Sequence, residues 1–254
     1  MKLKVVCLNL WIGGVLFDNI IDFLREQDAD IIALQEVLQS DDKTLPVQYR
    51  SLDGLAQLGY KYQQFAPAMI DQFPWGEVPG GNAVLSKFPI KAQEVTFFDE
   101  THEPSTRRLP FDPASFPVTP RNLQHVVIDA DGIEVNLFNF QGVWDLDGDS
   151  PSPQRQKMCQ TIVEQTANKQ HVIVTGDTNA KYTNPVMRKL EDNLTNVFGD
   201  SLTTSFNMRR KSNPGYGSAV VDLMYISNDL TVASRACPDV DISDHLPLVV
   251  ELEV

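Results

Sequence analysis

Apolar and polar positions change period several times along this chain, and each change marks an expected element. Lys2 to Leu10 is a mostly apolar run ended by Gly13-Gly14, which predicts a buried first strand. Leu16, Ile20, Phe23, Leu24 and Gln27 then recur at helical spacing, and Asp30 to Glu36 returns to a compact apolar stretch, the second expected strand. A helix is predicted near Tyr49 to Leu58, stopped by Gly59 in the left-handed position that commonly follows a last turn. Strand patterns dominate next, at Lys61 to Phe65, Asn82 to Ser86, Gln93 to Phe98 and Leu123 to Ile128, and Asp131-Gly132 predicts a hairpin turn into Ile133 to Gln141. Pro153 to Asn168 carries Met158, Ile162 and Val163 on one helical face. His171 to Thr175 reads as a strand, Pro185 opens a short helix, and Val220 to Ile226 and Leu246 to Glu251 close the chain as strands.

This mixture of βα units and β-hairpins predicts an α/β (α+β) protein with helices packed outside two sheets. No internal repeat, low-complexity tract or linker-like composition divides residues 1–254, which are therefore expected to form a single domain. Three stretches read as surface loops: Ile70 to Gly81, Glu100 to Pro120 and Thr203 to Ser218. The middle one holds Pro104, Pro110, Pro113, Pro117 and Pro120, and a connection so long in a compact domain is usually functional or disordered; the prolines favour a stiffened functional loop.

Composition narrows the setting. A hydrophobic fraction of 42% supplies a substantial core. The longest apolar runs, Ile31 to Leu34 and Leu246 to Val250, fall far below the roughly 20 residues that cross a bilayer, so stable membrane insertion is not expected. The N-terminus is basic then apolar, but Asn9 and Trp11-Ile12-Gly13-Gly14 interrupt it, favouring a strand over a secretion signal. Cys7, Cys159 and Cys237 are odd in number and widely spaced, which suggests neither a disulfide framework nor a zinc site and fits a reducing cytoplasm. A net charge of −13, from 21 Lys+Arg against 34 Asp+Glu, leans away from long nucleic acid on a broad basic face.

Candidate chemistry gathers at strand ends. Asn9 closes the first expected strand and Glu36 the second, where open sheets place ligand-binding residues; alone, Glu36 reads more readily as a capping or surface carboxylate. Gly176-Asp177-Thr178-Asn179 follows an apolar strand and delivers an acid and an amide to its end, although an Asx turn is the plain alternative. Asp222 lies within Val220-Val221-Asp222-Leu223-Met224-Tyr225-Ile226 and needs a partner, because an unpaired buried carboxylate is costly. Ser243-Asp244-His245 sets a carboxylate beside an imidazole just before the final strand.

In this order these segments resemble the endonuclease/exonuclease/phosphatase superfamily along the whole chain. The matching pieces are Cys7-Leu8-Asn9-Leu10-Trp11, Leu34-Gln35-Glu36-Val37, Gly81 to Ile90, Pro120-Arg121-Asn122-Leu123, Gly176 to Asn179, Val221 to Ser227 and Ser243 to Leu248. The resemblance implies a DNase I-like four-layer sandwich: two mixed β-sheets face to face, helices outside, and one cleft at shared strand ends. It implies a phosphoester hydrolase using Mg²⁺ or Mn²⁺, with Glu36 as principal ligand and Asp244 and Asn9 at or near the ion. By the same resemblance Asp177 orients or deprotonates water, Asn179 and His245 hold phosphate oxygens, and Asp222 fixes the His245 tautomer. Asn9 and Arg121 are further candidate phosphate contacts, Arg121 reading equally as a surface ion pair.

One position departs from the resemblance. Gln141 ends the strand Val135 to Phe140 where most of the family places a histidine and some branches a tyrosine, and glutamine does not titrate. Three readings stay open: a phosphomono- or phosphodiesterase on a small or lipid-derived substrate, a DNA or RNA nuclease, and a binding module without turnover. Selectivity is expected in the three loops. His102, Arg107 and Arg108, or Arg209, Arg210 and Lys211, are candidates to grip phosphates or plain solvated charge, and Trp75 and Trp144 to stack a ligand or pack in the core.

Overall fold

A computed structural model describes residues 1–98, 106–108, 120–144 and 149–254, with the backbone alone at 106–108. The first half builds on β1 (Lys2–Asn9), α1 (Phe17–Gln27), β2 (Ile31–Leu38), the short α2 (Ser51–Leu55), β3 (Tyr62–Phe73), β4 (Gly76–Ser86), β5 (Ile90–Phe97) and β6 (Thr106–Arg108). The second half adds β7 (Asn122–Ala130), β8 (Ile133–Gln141), α3 (Pro153–Thr166), β9 (Val172–Asp177), β10 (Thr195–Asn196), β11 (Asp222–Ile226), β12 (Thr231–Ala236) and β13 (Leu248–Glu253). One sheet has seven strands in the order β12-β13-β1-β2-β4-β3-β6, the other six in the order β10-β11-β9-β8-β7-β5. Both are mixed: β1 and β2 run parallel, as do β8 and β9, each pair joined through a helix, and β1–β13 and β11–β9 are antiparallel.

The two-residue period of each strand sorts its side chains into layers. Val5 and Cys7 of β1, Ala33 of β2, Val135 and Leu137 of β8 and Leu248 and Val250 of β13 meet between the sheets. Val6, Leu8, Ile32 and Leu34 point the other way, onto Ile20, Phe23 and Leu24 of α1. On the far side Phe138, Phe140, Val172 and Val174 take Met158, Cys159 and Ile162 of α3. The result is the expected four-layer sandwich. Its middle is not wholly apolar: buried Gln35 donates Nε2 to Asn139 Oδ1 at 2.7 Å, and Asn139 Nδ2 reaches back to the Leu34 and Ala83 carbonyls and to Gln124 Oε1.

Local signals account for most element ends. α3 begins with Pro153 and is capped by Ser152, whose side chain accepts from Arg155 N. Gly59 is left-handed at φ 79°, and Asp131 and Gly132 both take positive φ in the β7–β8 turn. Elsewhere the structure differs from expectation. The helix predicted over Tyr49 to Leu58 is only α2 flanked by 3-10 turns, and the one expected from Pro185 is a 3-10 segment at Met187–Asp192. Most of Ile70 to Gly81 is the far end of the β3–β4 hairpin, turning between Phe73 and Gly76. Pro79 pairs with Ile70 of β3 just beyond the last β2–β4 pair, Leu38 with Gly80, where its carbonyl still accepts from Gln39 N. Asp222 begins β11 instead of lying inside it. Most of the expected loop Glu100 to Pro120 lies outside the described residues, as do His102, Pro104, Pro110, Pro113, Pro117 and the side chains of Arg107 and Arg108.

Candidate active site

Three of the polar residues singled out above, Asn9, Gln141 and Asp177, occupy the last inward-facing position of their strands. Asn9 continues the inward row of Val5 and Cys7, Gln141 that of Leu137 and Asn139, and Asp177 that of Ile173 and Thr175. Asn9 stands opposite Gln35 and Gln141 opposite Asp177 in the two parallel pairs, and Asp222 stands opposite Asp177 across the antiparallel one. Parallel pairing therefore delivers both carboxyl ends of each sheet to one edge of the sandwich, where they share a cavity of about 610 Å³.

Glu36 reaches that cavity through a break in its strand. By strict alternation it follows Ile32 and Leu34 toward α1, but the β2–β4 register slips between Leu34 and Val37 and Glu36 adopts φ 55°. Its carboxylate accepts from Ile12 N at 2.8 Å, Gln141 Nε2 at 2.8 Å and Asn9 Nδ2 at 3.2 Å. Asn9 Nδ2 also donates to Asp177 Oδ2 at 3.1 Å, and its Oδ1 accepts from Trp11 N, which fixes which end of the amide faces the two acids. Gly176, before Asp177, has φ 156°, and a Cβ there would lie 1.9 Å from the Phe140 carbonyl oxygen. Only glycine permits this approach of β9 to β8.

On the opposite wall His245 is buried but for the edge that lines the cavity, with Nδ1 2.8 Å from Asp222 Oδ2 and its ring against Phe206. Burial pulls the imidazolium pKa down, but the Asp222 and Asp177 carboxylates outweigh it and lift the value to about 10. Asp177 responds in the other sense: burial raises its carboxyl to about 6, His245 opposes this, and Asp222 and Glu36 add to it. Ser243 Oγ donates to the Asn9 carbonyl at 2.7 Å and tethers the Asp244-His245 loop to the end of β1.

Asp244 faces the same cavity and pairs with Lys211 Nζ at 2.5 Å. Burial lowers the Lys211 pKa, yet Asp244, seconded by Glu36, raises it on balance. Asn179 lines the cavity with its backbone N–H on Asp177 Oδ1 and its Nδ2 on the Gly142 carbonyl at 3.0 Å. Arg121 is buried and lines the cavity too, with Nε on that same carbonyl at 3.2 Å.

All eight residues expected to converge, Asn9, Glu36, Gln141, Asp177, Asn179, Asp222, Asp244 and His245, therefore surround or directly support one cleft. Trp144 lines it, whereas Trp75 stacks on Phe73 with centroids 4.9 Å apart and an interplanar angle of 5°. Of the run Arg209-Arg210-Lys211, the two arginines are bidentate to Asp239 and Asp241, and only the lysine faces the cavity. Sequence reasoning did not find Phe206 and Tyr216 in the wall; both sit in an irregular stretch without periodicity.

The family model described as Endonuclease/Exonuclease/phosphatase family matches residues 9–245, a span that begins at Asn9 and ends at His245. The chain belongs to that family. Among solved structures, an endonuclease/exonuclease/phosphatase family member from Beutenbergia cavernae DSM 12333 is 18% identical with a TM-score of 0.74, covering 100% of this chain and 72% of its own. A mannosyl-6-phosphatase from Bacteroides thetaiotaomicron VPI-5482 is 18% identical at TM-score 0.68, covering 99% of this chain and 100% of its own. D. rerio TDP2 complexed with single-strand DNA product is 14% identical at TM-score 0.71, covering 100% and 99%. At these identities the likeness establishes the endonuclease/exonuclease/phosphatase fold. No curated protein matches significantly in sequence.

Proposed function

We propose that this protein is a divalent-metal-dependent phosphoesterase that hydrolyses a small phosphomono- or phosphodiester. The observation that carries the reading is the charge arrangement of the cleft: a buried imidazolium at His245 faces a carboxyl at Asp177 whose pKa is raised to about 6. A base poised near neutrality beside a fixed cation suits attack of water on an anionic ester. Asp177 takes the proton of the attacking water as its oxygen bonds phosphorus and the ester P–O bond breaks, the leaving oxygen taking its proton from solvent. His245, held at Nδ1 by Asp222, presents Nε2–H to a non-bridging phosphate oxygen. Asn179 spends one amide N–H on Gly142 and directs the other to phosphate, while Asn9 aligns Asp177 with Glu36.

Glu36 and Asp244 supply hard oxygen donors that fit Mg²⁺ or Mn²⁺, and the pull of both on the Lys211 ammonium marks the place as one that attracts a cation. A divalent ion held there supplies positive charge to the phosphate and leaving oxygens when bound. Asp177, Asp222 and His245 also offer ligand atoms within 4.8 Å of one another, but a protonated imidazole offsets part of that negative charge and has no free ring nitrogen for an ion, which favours the Glu36 side. Asn9 turns nitrogen toward Glu36 and is assigned an orienting role. Gln141 does the same from the other side, which gives it a function that does not require titration.

A small substrate is favoured over a polynucleotide by the cavity of about 610 Å³ and the charge of −13. The nuclease reading is kept as an arm of the test because one similar structure holds single-strand DNA product. Buried thiols at Cys7 and Cys159, both pushed well above the ordinary range by burial, and the wide spacing of all three cysteines fit a reducing cytoplasm. The test is Mg²⁺- and Mn²⁺-dependent hydrolysis of sugar phosphates, mononucleotides, chromogenic diesters, phosphoinositides, DNA and RNA. Turnover is expected on a small ester, lost on metal removal and reduced at least about 100-fold in Glu36→Gln and His245→Ala. Turnover confined to polynucleotides would replace the substrate assignment; none at all would leave a binding module.

A further inference from the structure

Lys211 is the one member of its basic run that turns inward, and its surroundings fix it there. The turn carrying it is anchored to the loop of the site: Asn207 N bonds the Asp244 carbonyl at 2.9 Å, Asn207 Nδ2 bonds the Ser243 carbonyl at 2.8 Å, and Lys211 N closes the turn on the Asn207 carbonyl at 3.2 Å. The ammonium lies 5.1 Å from the ring centroid of Phe206 and 5.4 Å from that of Tyr216, and its third neighbour is the Asp244 carboxylate. Aromatic faces and an acid together favour a cation at this point, with little water to compete, since the lysine side chain is 22% exposed and that of Asp244 9%.

We propose that Lys211 is a resident counter-ion of the metal site, holding Asp244 in the metal-free protein and having to give it up when a divalent cation binds. The inference rests on the assignment of Asp244 and Glu36 as metal-binding residues. An ammonium and a divalent ion attract the same carboxylate and repel each other, so they compete for it. Lysine suits such a part: four rotatable carbons let the charge withdraw along the Phe206 and Tyr216 faces without moving the backbone turn. The arginines beside it are committed to Asp239 and Asp241 and do not take its place. Two consequences follow. Metal affinity is set lower than the carboxylates alone would give, and the acidic site keeps a charge partner when no metal is bound.

The experiment is titration calorimetry of Mg²⁺ and Mn²⁺ into the metal-free full chain, beside its melting temperature, for the unaltered protein, Lys211→Met and Lys211→Arg. Lys211→Met keeps much of the stem and removes the charge. It is expected to bind both ions on the order of tenfold more tightly and to melt lower without metal, with that deficit shrinking at saturating metal. Lys211→Arg, which keeps the charge, is expected to retain the weaker affinity. Lys211→Gln serves in place of the methionine variant if that one does not fold. Unchanged or weaker ion binding in the uncharged variant, or equal tightening in both, overturns the counter-ion role while leaving the metal assignment intact. No divalent-ion binding by any of the proteins overturns the metal assignment and this inference with it.

Discussion

His245 shows how one residue's setting turns into a measurable property. Its pKa of about 10 in the folded protein exceeds the ordinary 6.5, so its interactions contribute fully below pH 6.5 and are lost as pH rises toward 10. Asp177 works in another window: a carboxyl raised from 3.8 to about 6 costs stability as pH climbs between those values and changes nothing further above them. The metal-free protein is therefore expected to melt lower at pH 10 than at pH 7, by roughly 3 °C or more, given about 2–4 °C per kcal/mol for a chain of this size. Asp222→Asn should flatten that slope; an equal slope in the variant would show that the pair does not carry it. The sequence made it legible that Asp222, a carboxylate among apolar residues, demands a partner, and the family resemblance pointed to His245 as that partner. It did not disclose the pairing of Asn9 with both Glu36 and Asp177, because an amide at a strand end has many uses and only the register selects among them.

At the scale of elements, the apolar pattern was a dependable guide wherever a strand is buried on both faces and reads as a near-continuous apolar run, as in β1, β2, β8 and β9. It failed at β12, whose Thr-Val-Ala-Ser-Arg-Ala sequence is mostly exposed and bulged at the sheet edge, and at the β3–β4 extension, where glycines and Pro79 imitate a loop. It also gave no warning that the sheets are joined through amides. Asn139 bonds Gln35 and two carbonyls of the facing sheet, and to Gln124 beside it. Asn139→Leu keeps the branched shape but adds bulk and strands those partners, and is expected to cost about 2–4 kcal/mol in urea denaturation. A loss below about 0.5 kcal/mol would mean the network is replaceable by simple packing.

For the whole molecule, the central layer draws side chains from both halves of the chain, so neither sheet has a complete core alone. Residues 1–254 are accordingly expected to unfold in one calorimetric transition with equal calorimetric and van't Hoff enthalpies; two resolved peaks would divide the domain. The expectation of a single domain came from the lack of any linker in the sequence, whereas the interleaving of first and last strands was not legible there, since no local pattern records which distant strand sits beside β1. The strand that does so is β13, pairing Lys2 with Glu253 and Cys7 with Leu248. In a chain made from its N-terminal side, β1 therefore keeps one edge bare until β13 is present, and Asp244 and His245 lie just ahead of the strand that covers it. A chain lacking β13 and the residues just before it would have an incomplete cleft and would carry an exposed strand edge for chaperones to find.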